Sequence, residues 1–374
     1  MERNPLNIAL LSPGIAPTVY DRESTTAVGT VASINGGRPD DNESLIDGAS
    51  TMSPSSTISV LNPSIDAVAE VRMQQNSYSA EFGRAVGGTM NITTKSGTNE
   101  IHGTAFEFNR VAALSARNFF DVERPGLTRN QFGGVIGGPV YFPNLYHGRN
   151  RTFFFFSYEG IRQDLGLTNI GTVPTAAMRE GNFSGLTPIY DPESTTLVNG
   201  VETRIHFANN QIPLARFDSV ANKIMQYYPL PITNGVNNYV LALPTTTVED
   251  RVDARIDQNF GEKNRSFGRF IWDNPRNSTT NNAPRTLPNA EVDPSLPQQP
   301  TPQQWVLGDT HSFSASTLND FRLAFFRFFS TQYPGSMNKG FPAQLGLSGV
   351  SQESDTPRRA GGLMSGAASK AVTR

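Results

Sequence analysis

The 374-residue sequence contains no cysteine. That excludes disulfide frameworks, thiolate nucleophiles and cysteine-based zinc sites, and leaves the redox compartment open. No stretch approaches the roughly 20 consecutive apolar residues that a membrane-spanning helix needs. The early segment ALLSPGIAPTVY is short, carries two prolines, and lacks the basic region and small-residue cleavage site of a secretory leader. Charge is also scarce. Only 17% of residues are charged, against about 25% in an ordinary soluble domain, which suggests a surface that water does not fully cover. The formal net charge of -2 gives no general attraction to nucleic acid, so none is expected as a partner.

Catalytic patterns are missing too. His102, His147, His206 and His311 lie far apart, with no HxxxH or HExxH spacing. The glycine-rich segments GGTMNITTKSG and FGGVIGGP lack the spacing of a phosphate loop, and no serine sits in a GxSxG elbow. The sequence therefore predicts a protein that is not an enzyme, with no catalytic residues, no cofactor and no dedicated metal site. One acidic cluster, Asp40, Asp41, Glu43 and Asp47, offers hard oxygen ligands to calcium but lacks EF-hand spacing; a solvated turn is the alternative.

What is present is phenylalanine, 24 residues of it, set in period-two alternation. Phe106 and Phe108 oppose Glu107 and Asn109. Phe132, Gly134 and Ile136 oppose Gln131, Gly133 and Gly137. Val252, Ala254 and Ile256 oppose Asp253, Arg255 and Asp257, and Phe321, Leu323 and Phe325 oppose Asp320 and Arg322. Alternation of this kind sends the two sets to opposite faces of a sheet. Charge on one face of several strands, with aromatic or small residues on the other, is what a wall between lipid and a polar lumen requires. Short polar links at Phe260 to Asn264 and Ser312 to Ser316 predict antiparallel pairing. Before the first such strand, Asn62 and Pro63 are good opening residues for a helix over Pro63 to Glu70. Two long irregular stretches, 164–249 and 274–302, read as loops. The aromatics of the first (Phe183, Tyr190, Phe207, Tyr227, Tyr228, Tyr239) could present a platform to a ligand or pack the loop on itself.

Several segments occur in the order of one known family. AEFGRAVGGTMNITTKSGTNEIHGTAFEF resembles the end of the plug and the first barrel strand of TonB-dependent outer-membrane receptors, in the Oar-like branch. INGGRPDDNESLIDGA resembles a plug segment, and NQFGGVIGGPVYF with RTFFFFSYEGIRQ resembles the next two strands. The resemblance implies a receptor or transporter in the cell outer membrane. Its partners would be membrane lipid, an extracellular ligand and a TonB-type energy-coupling complex that pulls on the plug. It also implies that Glu81 and Arg84, in SAEFGR, are charged plug residues facing the barrel wall; an ordinary surface pair is the alternative.

The fold class expected is mainly β: a small α+β plug segment over 1–97, then antiparallel strands of an incomplete barrel over 98–350. The polar link Lys95 to Asn99 divides the two. Residues 351–374 lose alternation and aromatics and are expected to be a disordered, foreign tail. Members of the family carry a secretory signal, a coupling segment and about 22 strands. About seven strand-like segments are counted here, so the sequence predicts a fragment of such a receptor. The competing expectation is a soluble secreted or surface β-sandwich binding protein, with Phe106, Phe154 and Phe156 buried between sheets.

Overall fold

A computed structural model describes residues 3, 5–17, 32–38, 41–53, 59–75, 87–117, 124, 126–277, 298–332, 341–349 and 358–373. The chain opens with a 3-10 turn, Pro5–Leu11, and a two-stranded ribbon in which Ile15–Pro17 pairs with Ala32–Ile34. A four-stranded sheet follows. Its strands are β1 (Asn42–Ile46), β2 (Ala49–Ser50), β3 (Val68–Gln75) and β4 (Gly88–Thr94). β1 runs parallel to β4, which runs antiparallel to β3, and β2 folds back on β1. The turn between β1 and β2 is Asp47-Gly48, with φ of 48° and 79°. Asp-Gly is the dipeptide that tolerates two consecutive positive φ values in a two-residue hairpin, so the sequence itself specifies this turn.

The helix expected over Pro63 to Glu70 is not formed. One 3-10 turn, Ile65–Ala67, gives way at Val68 to β3. Ser64 stands where the cap would be but makes no capping bond, because its hydroxyl is engaged elsewhere. Pairing β3 along β4 gives Val68, Val71 and Met73 apolar neighbours that an isolated helical turn would not supply.

Residues 95–101 then carry the chain into a second sheet. Gly97 lies so close to the wall that a Cβ would sit 2.3 Å from the Phe154 carbonyl oxygen and 2.7 Å from that of Gly138. Only glycine fits that passage. The large sheet is a meander: β5 (His102–Val111), β6 (Leu127–Pro139), β7 (Thr152–Gly171), β8 (Tyr239–Asn259), β9 (Asn264–Asp273), β10 (Gln303–Ser314), β11 (Thr317–Gln332) and β12 (Arg358–Thr373). Each pairs antiparallel with the next. The short strands Arg276–Asn277 and Gln298–Pro300 fill the gap between the ends of β8 and β11, so they prolong β9 and β10. Among the described residues β5 and β12 are the two edges, and the wall does not close.

Three expectations are corrected by these strands. The loop expected at 164–249 shrinks to 172–238, because β7 and β8 pair through to Gly171 and Tyr239. Asn, Gly and Pro within DLGLTNIG and YVLALPTTTVE hide the strand pattern there, yet each strand supplies the other with a full backbone ladder. What remains of the loop holds two helices, α1 (Ala176–Arg179) and α2 (Ser219–Met225), and a hairpin, Thr196–Val198 with Val201–Thr203. Asp218 caps α2 by accepting the Ala221 N–H. The stretch expected as a loop at 274–302 keeps Arg276–Asn277 and Gln298–Pro300 as strand; 278–297 lies outside the described residues. Finally, Arg358–Thr373 forms β12 rather than a disordered tail. Backbone pairing to the exposed edge of β11 needs neither alternation nor aromatic side chains.

Cross-strand register assigns the faces. Glu159 opposes Arg251, which opposes Asp273, and Asp253 opposes Ile271; this set faces the small sheet. Phe154, Phe156, Ile256, Phe270, Trp272, Trp305 and Leu307 share the outward face. The alternation in β5 is as expected, but its sense is reversed. Phe106 and Phe108 pair with Gly133 and Gln131 on the inner face, leaving Glu107 outward. The reason is local. Gly133 has no side chain, and the Phe106 ring takes that room, its Cζ 3.0 Å from where a Cβ would stand.

Candidate functional site

The inner wall and the small sheet meet over a mixed surface. Its apolar part joins Ile46, Val60, Leu61, Met90 and Ile92 of the small unit to Ile271 and Phe326 of the wall. Its polar part has two centres.

At the first, the Asp47-Gly48 hairpin pushes the Asp47 carboxylate into the wall. There Asp47 accepts from Arg255 (3.2 Å) and lies 3.3 Å from the Arg269 guanidinium, while binding the Thr94 amide (2.9 Å) and hydroxyl (2.8 Å) within its own sheet. Arg255 also donates to the Thr94 hydroxyl (3.0 Å) and grips Asp257 at 2.8–3.1 Å. Ser96 closes this centre with a 2.7 Å bond to Asp257. Beside it, Arg269 donates to Gln304, whose amide reaches back to the Ser50 carbonyl at 2.6 Å.

At the second centre, Ser64 is fully buried and crosses to two wall carboxylates. Its amide donates to Asp253 (3.2 Å) and its hydroxyl to Glu159 (3.1 Å). Arg251, in the wall, lies among Glu159 (3.3 Å), Glu249 and Asp273 (3.4 Å). At the rim, Arg3 pairs with Asp66 and stacks over Phe106 and Phe108 at 4.5 and 4.6 Å from the ring centroids.

Chemically, this arrangement is a set of contacts between two surfaces: the Ser64 and Ser96 hydroxyls donate to Glu159 and Asp257, and the arginines pair with carboxylates of the two surfaces. Burying these ion pairs costs a desolvation that offsets much of their mutual attraction, and each charge is rehydrated when the surfaces part. Asp47, from the acidic cluster, is thus committed to arginines rather than offered to calcium, and Glu43 is buried. Asp40, Glu81 and Arg84 lie outside the described residues. Asp253, Arg255 and Asp257 stand out in the sequence as one face of a strand. Glu159, Glu249, Arg251, Arg269 and Asp273 were not singled out. The signal for two of these, Glu249 and Arg251, is the unbroken every-second-residue run Glu249, Arg251, Asp253, Arg255, Asp257, which marks a charged face but not its partners.

Comparison with known proteins places this wall in a family. The model of the outer membrane beta barrel domain matches residues 93–370, from the end of β4 through nearly all of β12. The chain belongs to the outer-membrane β-barrel family. It is 34% identical over 138 residues to the TonB-dependent transporter Oar of Myxococcus xanthus, covering 35% of this chain and 13% of that protein. Among solved structures, the outer membrane transporter YddB of Escherichia coli superposes with a TM-score of 0.53 at 9% identity, over 89% of this chain and 37% of its own. The siderophore receptor PirA of Acinetobacter baumannii gives 0.52 at 12% identity, over 97% and 42%. A mutant ferric enterobactin receptor of Pseudomonas aeruginosa gives 0.51 at 12% identity, again over 97% and 42%. At such identities the likeness concerns the fold. The chain therefore spans 13% of Oar and about two fifths of these receptors.

The expected resemblance to TonB-dependent receptors, and the mainly β, unclosed barrel wall, are borne out. The soluble sandwich is not supported. Phe156, Ile256, Trp305 and Leu307 are 42–57% exposed on a single sheet, where a sandwich would bury them against a second one.

Proposed function

We propose that this chain contributes the plug and the first part of the barrel wall to a TonB-dependent outer-membrane receptor that takes up or binds an extracellular ligand. In this reading residues 1–97 are plug and those from 98 onward are barrel. The observation that carries it is the crossing of Asp47 and Ser64 into a charged inner wall whose opposite face is apolar. A plug held this way stays in place at rest and can be drawn out by a force applied on one side, as a TonB-type complex would supply.

The connections support an orientation. The links 140–151, 260–263 and 315–316 all lie at one end of the sheet, and the link 172–238 at the other. Outer-membrane barrels carry short turns on the periplasmic side and long loops outside the cell. The link 95–101 enters at the short-turn end, where Asn99 bonds the Asn150 amide at 2.7 Å. The ligand would meet the loop 172–238, in which Tyr190 is 52% exposed and stacks edge-on with His206. A polymeric ligand, glycan or peptide, suits a loop of that extent.

The absence of native cysteine in this chain makes the topology testable by single-cysteine labelling. Glu202→Cys, in the loop hairpin, should react with a membrane-impermeant maleimide on intact cells making the full-length receptor. Glu262→Cys, in a short turn, should react only after the outer membrane is opened. The reverse pattern, or recovery of the protein in the soluble fraction, would overturn the assignment.

A further inference from the structure

The outward face of the wall has a gap where β8, β9 and β10 run side by side. Gly268 lies between Ile256 and Leu307, and across the next row Ala254, Phe270 and Trp305 stand in line. Without a side chain at Gly268 the sheet backbone is bare there. A Cβ would meet the Ile256 and Leu307 methyls at 3.5 Å each, so these two form the banks of a groove. Phe270 and Trp305, stacked with centroids 4.1 Å apart, stand over one end. The cavity measures about 410 Å³ and is lined by Ala254, Ile256, Gly268, Phe270, Trp305 and Leu307; Arg255 and Arg269 border it but turn their guanidinium groups to Asp47 on the other face.

Polar residues bracket the apolar part of this face. Toward the short turns stand Gln258, Ser266 and Asp309, with Ser266 bonded to Asp309 at 2.5 Å. Toward the long loops stand Tyr158, Asp250 and Arg162, joined by 2.7 Å bonds. Along β8, from Gln258 to Asp250, a strand rising about 3.4 Å per residue and tilted about 40° climbs roughly 21 Å along the membrane normal. That is within a few ångströms of the roughly 25 Å apolar belt of an outer-membrane barrel. Ile256 falls in the half of the belt nearer the short turns, and Ala254 at its middle.

We propose that the Gly268 groove is a binding site for one acyl chain of a phospholipid from the leaflet on the short-turn side. The proposal rests on the outer-membrane reading above and adds to it a particular place where lipid is held. The groove lies inside the hydrocarbon belt, so no water competes for it. Its lining side chains offer no hydrogen-bond donor or acceptor apart from the indole N–H of Trp305, which excludes a peptide or a sugar as occupant. A flexible hydrocarbon chain satisfies it by dispersion and shape alone.

The test uses the full-length protein in phosphatidylcholine vesicles doped with a phospholipid bearing a photoreactive diazirine on one acyl chain, with adducts mapped by mass spectrometry. Adducts at Ile256, Phe270 and Leu307 should exceed those at Phe154 and Phe156, equally outward but beyond the groove, by at least fivefold. Gly268→Leu should abolish that excess and leave Phe156 labelling unchanged. Gly268→Ala, whose methyl enters at ordinary contact distance, should reduce it partially; it serves if the leucine variant fails to assemble. Even labelling of all outward residues, or an excess that survives both substitutions, would overturn the proposal while leaving the membrane reading intact. No labelling on any outward residue would sink the membrane reading itself.

Discussion

Removing the Asp47 carboxylate should loosen the small sheet from the wall more than any other single change on its surface. In Asp47→Ala the Arg269 side chain, 1% exposed, loses its only carboxylate within 4 Å among the described residues, while Arg255 keeps Asp257. The Thr94 amide and hydroxyl lose their acceptor as well. Breaking a buried pair by deleting one partner costs about 3–5 kcal/mol, because the remaining charge stays out of water. At about 1.4 kcal/mol per power of ten, separation of the two surfaces should become roughly 10² to 10⁴ times more frequent. Native-state hydrogen exchange on the solubilised protein reads this directly at the amides of β4. Protection should fall there, and not in β7 or β8, whose ladder is internal to the wall. The cause is checked by Asp47→Ala/Arg269→Met. If the uncompensated charge is what destabilises, an apolar side chain of similar length should recover much of the lost protection. A shift under about 0.5 kcal/mol for the single variant, the range of an ordinary surface change, would refute the reasoning. So would a double variant no better than the single.

Other perturbations should separate the remaining contacts. Phe156→Arg, on the outward face, should impair membrane assembly by roughly 2–4 kcal/mol near the midplane, whereas Phe106→Arg, facing inward, should cost much less; urea-dependent folding into vesicles compares them, and equal effects would contradict the reversed sense of β5. Arg3→Ala removes a cation–π contact with two rings, worth about 0.5–2 kcal/mol, and should speed proteolytic release of the segment before Gly14 without changing wall stability. In the loop, hydrogen bonds from Arg216 hold the Asp191 carboxyl below its ordinary range. This contact supports the loop above the ordinary carboxylate pKa and is lost as pH falls through the depressed value. Arg216→Ala should move the Asp191 titration upward by NMR, and an unmoved titration would show that the pair does not form in solution.

How much of this was legible follows from the range over which each feature is decided. Period-two alternation is local, and it separated Asp253, Arg255 and Asp257 from Val252, Ala254 and Ile256 before any partner was known. It says nothing about which face looks inward. In β8 the charges settled the matter, but in β5 the aromatic pair Phe106 and Phe108 pointed to lipid until their cross-strand partner, Gly133, showed where a ring had room. The Asp47-Gly48 hairpin is equally local. What the turn is for is not, since Asp47 meets Arg255 across 208 positions of sequence and Ser64 meets Asp253 across 189. Contacts of that separation leave no spacing to read. The same limit explains the helix expected over Pro63 to Glu70: Asn62 and Pro63 are sound helix-opening residues, but Ser64 spends its amide and hydroxyl on the wall, and β4 offers the following residues a ladder. Sequence propensities describe what a segment does alone. Here the segments that matter for holding and release are those in which the wall overrides them, and a residue whose local preference is overruled, such as Ser64, is therefore a better pointer to the interface than one whose preference is met.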